Sequence, residues 1–167
     1  MHRPQPTSKE YFFDENKIIV SKTDLKGKIT YCNELFIQMS GYQEFELLGK
    51  PHNIVRHPKM PKIVFKLLWD TVQSGEEINA YVINLSKDGG FYWVFANVTP
   101  SFDKNGKITN YFSVRTKPKQ EALTVIEPLY AELLRLEKNG GMEASKKALD
   151  KILKEKGMPY EEFVLSL

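Results

Sequence analysis

A single cysteine, Cys32, stands in the whole sequence, so an internal disulfide is impossible and the companion ligands of a zinc site are missing. Long hydrophobic runs are missing as well. No stretch approaches the roughly 20 apolar residues of a membrane-spanning helix, and the polar opening MHRPQPTSKE lacks the apolar centre of a secretory signal. A cytoplasmic location is the expectation. Charge of one sign is scarce: the net charge is +3, from 24 basic and 21 acidic residues, and the longest basic cluster is Lys146-Lys147. Beyond Lys117 the two signs balance, so no cationic stripe for nucleic acid or anionic lipid forms. Nucleophile motifs, a phosphate-binding glycine loop and paired metal-ligand spacings are absent too, and the expectation is a protein that is not an enzyme.

What is present suffices for one packed core, with 41% hydrophobic residues in a chain of 167. Residues 17–31, KIIVSKTDLKGKITY, predict a hairpin about the turn Asp24-Leu25-Lys26-Gly27. Asn33 then caps a short helix in NELFIQMSGY that Gly41 ends. Between Gln43 and Pro61 the prolines leave room only for short turns and a fragment of helix, and Pro61 suits the start of a helix over KIVFKLLWDTV. Three strand-like runs follow, NAYVINLS, FYWVFANVTPSF and KITNYFSVRT, separated by the turns Lys87-Asp88-Gly89-Gly90 and Asp103-Lys104-Asn105-Gly106. They predict an antiparallel meander. After Pro118 the pattern is helical to residue 138 with Pro128 inside it, Gly140-Gly141 breaks it, a second helix spans 142–156, and a last turn follows Pro159. The predicted architecture is α+β: a five-stranded antiparallel sheet with helices on one face closing a cavity, plus C-terminal helices. Its divisions are an N-terminal cap over 1–16, a compact domain over 17–118 and a helical segment over 119–167.

PHNIVRHPKMPK, a helix containing FKLLW, NLSKDGGFYWVFANVTP and YFSVRTKP together resemble the PAS domain of Aer-type aerotaxis and energy-taxis receptors, from about Thr23 to Lys119. The run PHN-x-VRHP-x-MPK carries most of the specificity. Without a membrane span or a long signalling coiled coil, the chain is similar to the stand-alone PAS partner of split, bipartite energy-taxis systems. That resemblance implies a PAS fold over 17–118 and non-covalent FAD. It also implies a redox or energy sensor recruited to membrane receptor arrays, signalling to a separate chemotaxis receptor or its cytoplasmic HAMP and signalling region. Homodimers and PAS–PAS heterodimers are both open.

The resemblance also assigns site residues. Asn84, which taken alone reads as a strand-end amide serving a turn, becomes the hydrogen-bonding partner of the isoalloxazine edge. Arg56 suits the pyrophosphate through a forked, charge-assisted contact, and His57 a phosphate or ring oxygen. Asn33, Phe65 and Trp69 complete the expected pocket. Strand parity separates Tyr92, Val94, Ala96 and Val98 from Phe91, Trp93, Phe95 and Asn97. The alignment turns the first set, Tyr92 included, toward the cofactor, leaving Trp93 and Phe95 to be covered by the terminal helices, the N-terminal YFF segment or a partner. Two positions depart from the family pattern: Lys59 replaces an acidic residue, and Ile78-Asn79-Ala80 replaces Trp-x-Gly. Both favour an alternative, a cofactor-free adaptor assembling receptor complexes through Trp93, Phe95 and the terminal helices. A third reading is a haem sensor with His57 as axial ligand. The reactive-cysteine motif of LOV photosensors is absent from residues 52–60.

Overall fold

The computed structural model describes residues 2–167. Its sheet is assembled from two distant pieces of chain. β1 (Ile19–Thr23) and β2 (Ile29–Cys32) form the first hairpin, whose turn closes at Gly27 with a φ of 83° that favours glycine. β3 (Ile78–Leu85), β4 (Phe91–Phe102) and β5 (Ile108–Thr116) form the meander. β1 pairs antiparallel with β5, Ser21 opposite Ser113, giving one five-stranded antiparallel sheet in the order β2-β1-β5-β4-β3. Pro100 is tolerated within β4 because β3 pairs only as far as Val98, so no neighbour waits for the missing N–H.

Short helices lie over one face of this sheet. α1 (Glu34–Ser40) starts at Asn33, whose side-chain oxygen accepts from the Phe36 amide at 3.1 Å, and ends at Gly41 in the left-handed region. α2 (Glu44–Leu47) and a 3-10 turn (His52–Val55) fill the proline-rich stretch, and α3 (Lys62–Gln73) packs against β3 and β4. No side chain of its own caps α3. Instead Glu137, far along the chain, accepts from the amides of Lys62 and Ile63 at 2.9 and 3.0 Å.

The opposite face carries α4 (Gln120–Lys156) and α5 (Tyr160–Leu165). Trp93 is 8% exposed, its ring 6.1 Å from that of Tyr130 on α4, and Phe95 stacks on Tyr81 at 4.8 Å. Trp93 is thus covered by this chain's own helix, and of the covers left open by sequence reasoning the terminal helix is the one found. The N-terminal segment lies elsewhere: it runs beside the β3–β4 turn, where the amides of Thr7 and Tyr11 donate to the carbonyls of Gly89 and Phe91. A side chain at Gly89 would collide with the Gln5 carbonyl, so that turn needs glycine for close approach as well as for its φ. Among the described residues no helix is long and apolar enough to cross a membrane.

α4 is two helical arms. Gly141 has φ 68° and ψ −170°, and Ser145 Oγ donates to Glu137 Oε1 at 2.9 Å. Eight residues along a continuous helix span about 12 Å, so the chain doubles back at Gly141, where sequence reasoning places the break.

β3 is an edge strand, and three of its backbone polar groups are engaged from outside the sheet. The Tyr130 hydroxyl donates to the Tyr81 carbonyl at 2.7 Å, the Asn79 amide donates to Glu161 at 3.3 Å, and the Ile83 amide reaches the Met60 sulfur at 3.4 Å. The Tyr130 hydroxyl also lies 3.0 Å from that of Tyr160, and both rings are buried. We expect Tyr130→Phe to cost about 1–2 kcal/mol, the penalty for stranding buried partners, measured by urea unfolding; an unchanged midpoint would show that the C-terminal helices are not held by this contact.

Candidate functional site

The short helices and the inner face of the sheet enclose a cavity of about 410 Å³. That volume lies in the range of roughly 300–1,000 Å³ typical of small-molecule sites. Its walls are apolar: Val82 from β3, Ala96 and Val98 from β4, Phe65, Leu68, Trp69 and Val72 from α3, and Tyr111 from β5. Alternation along the strands puts the small residues here and sends Trp93 and Phe95 to the other face. Trp69 meets Tyr111 edge to face at 5.6 Å, and its ring lies 3.0 Å from where a Cβ at Gly27 would stand. Glycine at the hairpin turn therefore makes room for the tryptophan that forms the wall.

The polar groups gather in two places. Deep in the cavity, Arg115 on β5 is 2% exposed, donates to Ser21 Oγ at 2.7 Å and lies 4.5 Å over the Phe36 ring. Its Nε has no partner, and no carboxylate pairs with it in the described residues. Burial lowers its pKa to about 10. His52 Nε2 lies 2.9 Å from the same serine oxygen. Burial, reinforced by the nearby guanidinium, lowers the His52 pKa to about 3, so the ring is neutral and Ser21 can donate to it while accepting from Arg115. Asn84 on β3 is 3% exposed and lines the cavity with its Nδ2 unpartnered. Behind it the Tyr92 hydroxyl is also unpartnered, its pKa pushed up to about 12 by burial although Arg115 and Asn84 pull the other way.

The second polar group is the rim, made of exposed Lys26, Asn53 and Lys66 and half-buried Arg56. The Arg56 guanidinium stacks on Phe65 at 4.1 Å, and the Arg56 backbone bridges to Asn84. Lys66 is paired with Asp70 at 2.7 Å, which leaves Lys26 and Arg56 as the rim cations outside a salt bridge.

The structure brings Arg56, Phe65, Trp69 and Asn84 together around this cavity. Three expected residues stand apart from its wall. Asn33 serves the fold: its Oδ1 accepts from the amides of Val20 and Phe36, its Nδ2 donates to the Ile18 carbonyl, and it does not line the cavity. His57 is 2% exposed, packed edge-on to Phe91, with Nδ1 accepting from the Lys59 amide. It does not line the cavity. Tyr92 sits behind Asn84, outside the lining. Sequence reasoning missed Ser21, His52 and Arg115. The available signal was parity: Tyr111, Ser113 and Arg115 share the inward side of β5, and a guanidinium there has no solvent. Lys59 and Ile78, the two departures from the family pattern, are also outside the wall.

A five-stranded antiparallel sheet holding a ligand-sized cavity under short helices defines a PAS domain. The chain belongs to the PAS-fold family, whose model, described as PAS fold, matches residues 29–115. It is 42% identical over 130 residues to the aerotaxis receptor of Escherichia coli (strain K12), a match covering 78% of this chain and 26% of the receptor. It is 26% identical over 102 residues to the nitrogen fixation regulatory protein of Klebsiella pneumoniae, covering 61% of this chain and 21% of that protein. The chain thus spans about a quarter of the length of these relatives. Among solved structures, the light state of the blue-light photoreceptor Aureochrome1 LOV superposes with a TM-score of 0.58 at 23% identity, covering 72% of this chain and 91% of that one. A LOV domain studied with a flavin analogue superposes with a TM-score of 0.60 at 20% identity, covering 66% and 84%. These two share the fold.

The buried imidazole has a consequence for stability. His52 has a folded-state pKa of about 3 against 6.5 when unfolded, so between those values the unfolded chain binds a proton that the native state refuses. Stability should therefore fall as pH drops below about 6.5. His57, lowered to about 4 chiefly by burial and further by Lys59, adds in the same direction. We expect His52→Gln to reduce the loss between pH 7 and pH 5 by about 1–2 kcal/mol, read from urea unfolding at the two pH values. An undiminished loss would mean that His52 is protonated in the native protein.

Proposed function

We propose that the chain is a flavin-binding redox sensor of the energy-taxis type, holding FAD non-covalently and signalling to a separate membrane chemotaxis receptor. The observation that carries this reading is the pair of unpartnered buried donors, Asn84 Nδ2 and Arg115 Nε, in an otherwise apolar cavity. A buried donor without an acceptor is costly. A planar heteroaromatic ring edged with carbonyl and imine acceptors would satisfy both donors and fit between the apolar walls.

A flavin, when bound, supplies reversible one- and two-electron chemistry at its ring. The chain's own residues would do the rest. Asn84 donates to the ring edge, and its amide can also accept, so one side chain can answer a change in ligand protonation by rotating. Arg115, a cation without a counter-ion, favours any added negative charge on what it faces. Phe65 and Trp69 wall the ring and exclude water, while Lys26 and Arg56 at the rim meet phosphate groups that reach the surface. These rim cations support a nucleotide form of flavin, and the similarity to the aerotaxis receptor supports the signalling role. Differential contact with two charge states is what a two-state switch requires.

The test is the absorption spectrum of the freshly purified protein before and after dithionite, with chromatography of what heat releases. Flavin bands that bleach, and FAD in the supernatant, are expected. Asn84→Ala and Arg56→Ala should each remain folded and weaken FAD binding by about tenfold or more, the worth of a charge-assisted or buried hydrogen bond. A protein that stays colourless when refolded or titrated with FAD would overturn the reading.

A further inference from the structure

The C-terminal helices reach the helix that walls the cavity at one carboxylate. Glu137, near the end of the first arm of α4, accepts from the Lys62 and Ile63 amides at the start of α3. Across the reversal at Gly141, Ser145 Oγ on the second arm lies 2.9 Å from the same carboxylate and 2.9 Å from the Met142 carbonyl, two acceptors that compete for its one hydrogen. Ser145 is fully buried. Glu137 also acts on the rim: its charge raises the pKa of Arg56, opposing the lowering by burial and by Arg3. Three parts of the molecule therefore share a single anion. One is the helix that carries Phe65, Lys66, Trp69 and Val72 of the cavity wall, another is the arginine stacked on Phe65, and the third is the returning arm of α4.

The arm beyond Gly141 has few other polar ties. Its return is held by Ser145 and by burial of Leu149, and α5 beyond it is clasped to the edge strand by Glu161 on Asn79 and by Tyr160 beside Tyr130. A left-handed glycine outside the helical region is the place where one arm can change direction relative to the other with little internal rearrangement. The Glu137 charge already satisfies a helix N-terminus whose own N-cap residue, Pro61, offers no side-chain acceptor. Any shift of α3 or of the Arg56 charge thus changes the load on the group that Ser145 holds.

We infer that Glu137 is a latch coupling the occupancy of the cavity to the helical arm after Gly141, a positioning residue that passes the state of α3 and Arg56 to residues 142–156. When a ligand fills the cavity, α3 settles on it, and through the α3 amides that Glu137 holds the shift reaches the Glu137–Ser145 contact and tightens the arm beyond it. The inference rests on the reading of the cavity as a flavin site.

Hydrogen exchange with mass spectrometry on the full chain tests it, using wild type, Glu137→Gln and Ser145→Ala, each before and after titration with FAD. In wild type, FAD is expected to change exchange in residues 142–156 by roughly threefold or more. Glu137→Gln keeps an acceptor for the α3 amides and removes the charge, so it should still take up FAD while losing that remote change. Ser145→Ala keeps the Glu137 carboxylate and every residue of the cavity wall but removes the hydroxyl that steadies that carboxylate on the α3 amides, and it should lose the remote change as well. Persistence of the remote change in both variants, or its absence from FAD-loaded wild type, overturns the latch. If wild type takes up no FAD, the cavity reading fails and the latch is judged without ligand: Ser145→Ala should speed exchange at the first turn of α3 roughly threefold. No change there overturns it. Should Glu137→Gln fail to fold, the Ser145→Ala comparison decides alone.

Discussion

A guanidinium buried without a carboxylate is the constraint around which this molecule is arranged. Removing a charge from water costs several kcal/mol even after relaxation, and Arg115 recovers only part of that from Ser21 and the face of Phe36. Each of these partners comes from a different part of the chain. The β1–β5 pairing brings Ser21 alongside, α1 supplies the ring, and the 3-10 turn adds an imidazole that burial, reinforced by the same charge, keeps neutral. With an Asn84 amide left over beside them, the inner end of the cavity is set to receive an electron-rich acceptor.

The remainder of the fold serves to keep that polar end dry and fixed. Small residues on β3 and β4 leave a slot, α3 walls it with two aromatics, and Gly27 yields space to Trp69. The edge strand that carries Asn84 is itself held from outside by Tyr130, Glu161 and Met60. The C-terminal helices are therefore part of the support for the site. Their contact with the strand and with the start of α3 places them where a change in the cavity is felt, without touching the cavity itself.

The element order, the three strand turns, the Asn33 cap and the break at Gly141 were legible in the chain because each depends on a few neighbouring residues. Local chemistry of this kind is written at the position where it acts. Strand parity was legible for the same reason and correctly turned Ala96 and Val98 inward. Arg56, Phe65, Trp69 and Asn84 were legible through the resemblance their surrounding strings carry. His57 and Asn33 lie off the cavity wall, since a motif marks a segment while the tertiary structure decides which of its side chains face the cavity. One turn of backbone sends Arg56 to the rim and His57 against Phe91.

By itself, then, the sequence determined the α+β order, the antiparallel meander, the paired C-terminal helices and the strings that relate the chain to the PAS family. Only the tertiary structure decided that Arg115, Ser21 and His52 meet, that α3 is capped by Glu137, and that Trp93 is covered from within. The reason is separation along the chain. Ser21 and Arg115 lie 94 residues apart, and Lys62 and Glu137 lie 75 apart. No local pattern records such a pairing; it exists only once the sheet has closed β1 onto β5 and the last helices have crossed the edge strand.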